Sequence, residues 1–416
     1  MKRRAILELL PGRNQTHVNK LILLMGARAT GKTTLASACF PDYNYLSVED
    51  PTQEENYQNL TLAQWREIYP NAVVDEVQRI PKLLSHIQFT VEQYVDTKYV
   101  LLSSGQLSDL EQVNAKRTKR YTVFELFPLT LPELSTTSWG DNVFLSFFQR
   151  YMKGGRGIES LSASFSADTR YAKKMEALQF YLRNGGYPAL TDKAMKDEER
   201  QIWLNSYLTT FLEQDVRHYV SLRNMMPFIK ALQYLAQSTG SFINYSSVSK
   251  EAGVSVPTAQ RYVHYLEMGY LIISLPSWEM NNSKKLVKAP KIHFLDPGVL
   301  QAVLHKQGSL AANEFKSAII AELYKQLKNS QLSASCYHLS TLDGREVDVL
   351  LEMPDYYIAI VVKMSNRINH TDARHLIDLQ QILNKPLKQC FILSNDLQTQ
   401  VLKDNIVAMH VATFLG

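Results

Sequence analysis

Leu21-Ile22-Leu23-Leu24-Met25-Gly26-Ala27-Arg28-Ala29-Thr30-Gly31-Lys32-Thr33-Thr34 is the stretch that decides the fold. Its first five residues are a short apolar run of the kind that forms a strand buried on both faces. The next eight satisfy Gly-x-x-x-x-Gly-Lys-Thr in full, and the strand candidate runs straight into them. Glycines allow the tight turn whose backbone N–H groups cradle phosphate oxygens, so Gly26, Ala27, Arg28, Ala29, Thr30 and Gly31 form the expected cradle. Lys32 is expected to neutralise the β- and γ-phosphates, and Thr33 to offer its hydroxyl to Mg²⁺. Thr34 opens the following helix, whose positive end faces the phosphates.

A second motif lies downstream. Ala72-Val73-Val74 is an apolar run ending in two adjacent acids, Asp75 and Glu76. A parallel strand delivers such acids to the carboxyl edge of its sheet, where ligands bind in open α/β folds. Asp75 is therefore the expected second magnesium residue. Glu76 is the expected catalytic base for the attacking water, acting with Lys32. After the next strand candidate, Tyr99 to Leu102, the polar Ser103, Ser104 and Gln106 can reach the same edge. The basic run Lys116 to Arg120 ends in Arg120, assigned here as a catalytic arginine in its own or a neighbouring subunit, because a guanidinium stabilises charge developing in phosphoryl transfer.

Apolar runs at Leu21–Met25, Tyr43–Val48, Asn71–Val74 and Tyr99–Ser103, with amphipathic stretches between them, read as a parallel α/β sheet. The length of 416 residues favours more than one core. We place an ATPase unit at 1–140, a mostly helical unit at 141–305 and a smaller α/β unit at 306–416. In the last we expect a helix around Ala318–Leu327, strands at Glu346–Glu352, Tyr357–Val362 and Gln389–Leu393, and a helix around Asp372–Leu383. Gly154 to Asp168 is a Gly- and Ser-rich flexible candidate.

The bulk numbers exclude more than they assign. A 45% apolar, 20% charged composition is that of a globular protein. A net charge of +5 is too mild to argue for nucleic acid or membrane by itself. Cys39, Cys336 and Cys390 show no CxxC spacing, which fits a reducing compartment, and the expected location is cytoplasmic. No apolar run approaches the roughly 20 residues that cross a bilayer, so no membrane partner is expected.

Asn244 to Ser255 followed by Val256 to Leu266 reads as helix, glycine turn, helix, with Ser255 as the second N-cap and Tyr270–Leu275 starting a wing. This winged-helix pattern offers Thr258, Gln260, Arg261 and His264 to double-stranded DNA, with Lys284, Lys285, Lys288 and Lys291 for phosphates. The bland alternative is docking onto the ATPase core or another protein.

These residues together resemble a prokaryotic family, an AAA-type ATPase domain fused to a C-terminal domain of unknown function with winged-helix and restriction-nuclease-like parts. The resemblance rests on the phosphate loop, Asp75 to Pro81, Arg120 with Phe124 to Leu129, Gly185-Gly186-Tyr187-Pro188, and Pro290 to Asp296. It implies an AAA-like core that binds ATP and Mg²⁺ and leaves the physiological role open. Where related chains often read Glu-Arg-Asp, this one has Glu213-Gln214-Asp215, which weakens an arginine donated between subunits unless Arg217 or Arg120 replaces it.

The C-terminal part resembles a nuclease fold in which Asp348 and Lys363 hold the expected places. Val361 stands where the second acid belongs, and Lys316 where an early helical Glu is usual. One carboxylate beside two lysines is a poor cage for Mg²⁺, so cleavage is expected to be absent unless Glu322, Glu346 or Glu352 reaches Asp348. Two functions follow from the sequence: an ATP-hydrolysing switch that presents a binding surface to a protein partner or another copy of the chain, or an ATP-regulated DNA-binding module with little hydrolysis.

Overall fold

A computed structural model describes residues 2–10, 20–49, 51–106, 121–155, 169–216, 224–278 and 289–416. Its first sheet contains five strands: β1 (Leu21–Met25), β2 (Asn44–Ser47), β3 (Asn71–Asp75), β4 (Lys98–Ser103) and β5 (Tyr121–Glu125). They lie in the order β2-β3-β4-β1-β5, and every pairing is parallel. Successive side chains point to opposite faces. Leu21 and Leu23 accordingly join one buried cluster with Trp65, Val74 and Tyr99, whereas Ile22 and Leu24 join another with Leu35, Val73 and Leu102. Burial on both faces explains why these strands read as continuous apolar runs. The fifth strand was not expected from sequence. Edge strand β5 is half polar, with Val123 exposed, and so lacks that signature.

The middle of the chain is helical, as expected. Trp203 and Tyr207 lie on the Asp197–Thr210 helix, which passes into a wide π turn at Phe211–Val216. Helix Tyr245–Ala252 ends at Gly253 in the left-handed conformation, and Ser255 caps helix Val256–Met268 by accepting the Thr258 amide hydrogen. Strands β6 (Ile272–Leu275) and β7 (Lys291–Phe294) then pair antiparallel. Lys284, Lys285 and Lys288 lie outside the described residues.

The C-terminal sheet has six strands: β8 (Ser335–Ser340), β9 (Glu346–Glu352), β10 (Tyr357–Val362), β11 (Leu387–Ser394), β12 (Gln400–Lys403) and β13 (Ile406–His410), in the order β12-β13-β11-β10-β9-β8. It is mixed, with β10, β11 and β13 parallel. Helix Ala312–Asn329 packs against it and shares its core. The helix expected at Asp372–Leu383 is replaced by two short 3₁₀ turns, His370–Ala373 and Leu379–Gln381. Ala373, Leu376 and Leu379 are buried, and a spacing of three suits a 3₁₀ turn as well as the start of an α-helix.

The units are knitted together rather than strung out. One core unites Leu129, Leu131, Phe147, Phe148 and Tyr181 with Phe315, Ile319, Phe391 and Phe414. Another places Ala27 and Phe127 among Tyr187, Tyr207, Phe211 and Leu266. Gly185 and Gly186 form the junction. Gly186 accepts a backbone bond from Leu129 and donates one to Asp296 Oδ2 at 2.7 Å. A Cβ on Gly185, where φ is +82°, would lie 2.0 Å from Asp296 Oδ1.

Candidate nucleotide site

The phosphate loop leaves β1 through Gly26, whose φ is +156° and whose added Cβ would lie 2.1 Å from the Leu126 carbonyl. Only glycine fits there. Ala29 and Gly31 also take positive φ, curling the loop before the Lys32–Cys39 helix begins. The far side of the loop is braced by a residue that no sequence motif singled out. Arg4 is buried, and its guanidinium donates to the carbonyls of Thr30 at 3.1 Å and Phe127 at 2.6 Å while pairing with Glu133 at 3.1 Å.

Lys32 is 5% exposed, and its ammonium donates to the loop's own carbonyls, Gly26 at 3.0 Å and Ala27 at 2.9 Å. Burial pulls its pKa down to about 8, against the opposing pull of Glu76 and Asp75. The Thr33 hydroxyl donates to Asp75 Oδ2 at 2.6 Å, so the two expected magnesium residues meet. Both are oxygen donors, one of them anionic, which suits a hard divalent cation. Tyr45 on β2 also donates to Asp75 Oδ2, at 2.7 Å, and the Glu76 amide donates to Oδ1 at 3.0 Å.

Glu76 sits in the left-handed region with φ +59°, a sparsely populated conformation for a non-glycine residue. Ser104 and Gln78 both donate to its carboxylate. Of the three polar residues at and after the end of β4, Ser104 reaches the acid because β4 lies between β1 and β3. The Ser103 hydroxyl turns back to the Gly105 carbonyl, and the Gln106 amide donates to the Met268 carbonyl at 2.9 Å.

Arg28 projects from the loop to the middle of the chain. Its Nη2 lies 3.0 Å from Asp215 Oδ1 and its Nε 3.3 Å from both carboxylate oxygens, with Glu49 at 3.6 Å. Burial opposes charge on both partners. It lifts the Asp215 pKa, while the hydrogen bond and charge of Asp215 outweigh it at Arg28 and hold that group more firmly protonated. Asp215 belongs to the π turn, so the altered Glu213-Gln214-Asp215 segment meets the loop through its last acid, while Gln214 is exposed. Arg120 and Arg217, the expected sources of a catalytic arginine, lie outside the described residues.

Comparison with known proteins agrees with this arrangement. Residues 18–135 match the model of the AAA domain. The N-terminal third is an AAA-type P-loop domain. Residues 175–310 and 313–414 match two domains of unknown function, DUF8612 and DUF4143. An uncharacterised Mycobacterium tuberculosis protein, Rv2008c, is 22% identical over 88% of this chain and 76% of its own length. An uncharacterised Methanocaldococcus jannaschii protein, MJ1637, is 24% identical over 70% of this chain and 63% of its own. Among solved structures, the Walker-type ATPase paby2304 of Pyrococcus abyssi aligns with 68% of this chain and 91% of its own at 14% identity and a TM-score of 0.41. The AAA-type domain makes this an ATP-binding P-loop protein, and no described helix is long and apolar enough to cross a membrane.

The C-terminal sheet carries the other candidate centre. Asp348 is buried, and Lys316 stands 2.7 Å from its Oδ1 while the Val362 amide donates to Oδ2 at 2.8 Å. Glu346 reaches this cluster only through lysines, 2.6 Å from Lys291 and 3.3 Å from Lys316. Lys363 pairs instead with Asp372 at 2.6 Å, and Val361 is buried in the core. Glu322 binds the Leu131 amide and Lys325, and Glu352 binds Lys385, so neither joins Asp348. Among the described residues, no cluster of His, Cys, Asp or Glu is suited to a metal ion.

Proposed function

We propose that the chain is a Mg²⁺-dependent ATP hydrolase in which nucleotide state controls how the helical and C-terminal parts present a binding surface. The observation that carries it is the meeting of Thr33 and Asp75 at 2.6 Å beside Lys32 and Glu76. The loop amides and Lys32 would bind the phosphates, with Thr33 and Asp75 holding the cation. Mg²⁺, when bound, supplies charge neutralisation of the phosphate oxygens. Glu76 would orient a water for attack on the γ-phosphorus and take up its proton as the bond to the ADP oxygen breaks. For that, its carboxylate must leave Ser104 and Gln78, so their hydrogen bonds describe a resting site.

The switch follows from Arg28. Arriving phosphates are the stronger anion for that guanidinium and would compete with Asp215, which belongs to the middle of the chain. An effector that breaks one contact and makes another shifts a two-state equilibrium by the difference in their free energies. A purified Glu76→Gln variant is expected to bind ATP and lose turnover. Unchanged phosphate release removes Glu76 from this role.

The exposed Gln260, Arg261 and His264 on the Val256–Met268 helix favour a second reading, an ATP-regulated module that binds double-stranded DNA. Salt-dependent affinity for duplex DNA with and without ATP separates it from a protein-directed switch. Absence of binding at low salt removes it. The C-terminal sheet is proposed not to cut nucleic acid, since Lys316 already supplies the cation that Asp348 faces. Cleavage of plasmid in Mg²⁺ or Mn²⁺ that Asp348→Asn abolishes would reverse that reading.

A further inference from the structure

Tyr45 is nearly half exposed on edge strand β2, and its hydroxyl is engaged within the protein. It donates to Asp75 Oδ2 at 2.7 Å, the same oxygen that accepts the Thr33 hydroxyl at 2.6 Å. The Glu76 amide takes Oδ1 at 3.0 Å. Three donors from three directions therefore fix the rotation of one carboxylate, and two of them converge on the oxygen that faces the P-loop threonine. The parallel register explains the placement. Ser47 pairs with Asp75, so Tyr45, two residues earlier on β2, shares its face and reaches along the strand to the carboxylate.

We propose that Tyr45 is a positioning residue for the divalent cation, holding Asp75 Oδ2 beside Thr33. This rests on the nucleotide reading above and deepens it. Charge on the bound cation and charge on Asp75 attract, and a carboxylate already oriented loses less freedom when the cation arrives. With its hydrogen given to Asp75, the phenol oxygen would still accept a hydrogen bond, which a phenylalanine cannot do.

The test uses Tyr45→Phe, which keeps the ring and removes only the hydroxyl. Fluorescent ADP binding is measured at fixed protein while Mg²⁺ is varied, and again in EDTA; thermal unfolding checks the fold. The expected result is a Mg²⁺ requirement raised about fivefold, the equivalent of one hydrogen bond, with Mg²⁺-free ADP affinity unchanged. An unaltered Mg²⁺ requirement overturns the proposal, as does an equal loss in EDTA, which would mark a merely structural role. Failure of the wild-type protein to bind ADP at all instead removes the nucleotide reading itself.

Discussion

Arg28 of the phosphate loop and Asp215 of the middle π turn form a two-pronged ion pair across 187 positions of sequence, with Nη2 3.0 Å from Oδ1. The pair joins the phosphate loop to a π turn in the middle of the chain. Asp215 is buried beside Lys32 and Glu76 in the same electrostatic neighbourhood, so a nucleotide adds negative charge next to an acid that is already costly to ionise.

Removing either partner should act in opposite directions on nucleotide affinity. Asp215→Asn frees Arg28 and is expected to tighten ADP several-fold. Arg28→Ala is expected to weaken it and also to cost about 1–3 kcal/mol in urea unfolding, because Asp215 remains buried without its partner. Equal affinities in both variants would show that Arg28 is spent on structure alone.

The depressed Lys32 ammonium makes binding pH-dependent. Its folded, nucleotide-free pKa is about 8, against an ordinary 10.5, and phosphates that favour the charged form must raise it. Binding therefore takes up a proton above about pH 8, and affinity should fall by up to ~tenfold per pH unit there, while remaining flat below pH 7. Calorimetry in buffers of different ionisation enthalpy measures that uptake. The linkage to folding has its own sign. Between about 8 and 10.5 the unfolded chain holds the extra proton, so Lys32 contributes stability that increases with pH in that window. Lys32→Met should lack the increment.

In the C-terminal sheet, Lys316→Ala is expected to cost about 3 kcal/mol at pH 7, since it strands the buried Asp348 carboxylate. Burial already raises the Asp348 pKa despite Lys316, and the variant should raise it further. A carboxyl whose folded pKa exceeds its unfolded value favours the fold as pH falls, so the deficit should shrink toward pH 5. Denaturant unfolding at the two pH values checks both statements.

The junction glycines are expected to tolerate nothing larger. Gly185→Ala drives a Cβ into the Asp296 carboxylate at a left-handed position, and Gly186→Ala would place one 2.4 Å from the Leu129 carbonyl. Each should lower stability by about 3 kcal/mol or abolish soluble expression. Wild-type melting behaviour in either variant would contradict the interlocked arrangement of Leu129, Gly186 and Asp296.

What was legible in the sequence was what local chemistry dictates. Leu21–Met25 and Ala72–Val74 announce buried parallel strands because both faces must be apolar, and the loop glycines announce a tight turn, which at Gly26 leaves no room for a Cβ. Ser255 and Gly253 mark the ends of neighbouring helices by capping alone. Arg4, Tyr45 and Asp215 carry no such mark. Each acquires its role through a partner at least 26 positions away, Thr30, Asp75 or Arg28, and only the tertiary fold brings those pairs together. The missed β5 and the false helix at Asp372–Leu383 share one cause. An edge strand is half solvated, and three-residue spacing fits a 3₁₀ turn as well as the start of a helix.

The most direct measurement is titration calorimetry of Mg-ADP into the folded protein and into Lys32→Ala. A single site with measurable heat, lost in the variant while its circular dichroism spectrum is unchanged, is the predicted result. A folded wild-type protein that yields no heat with Mg-ADP or Mg-ATP would contradict the placement of a nucleotide between Gly26 and Thr34.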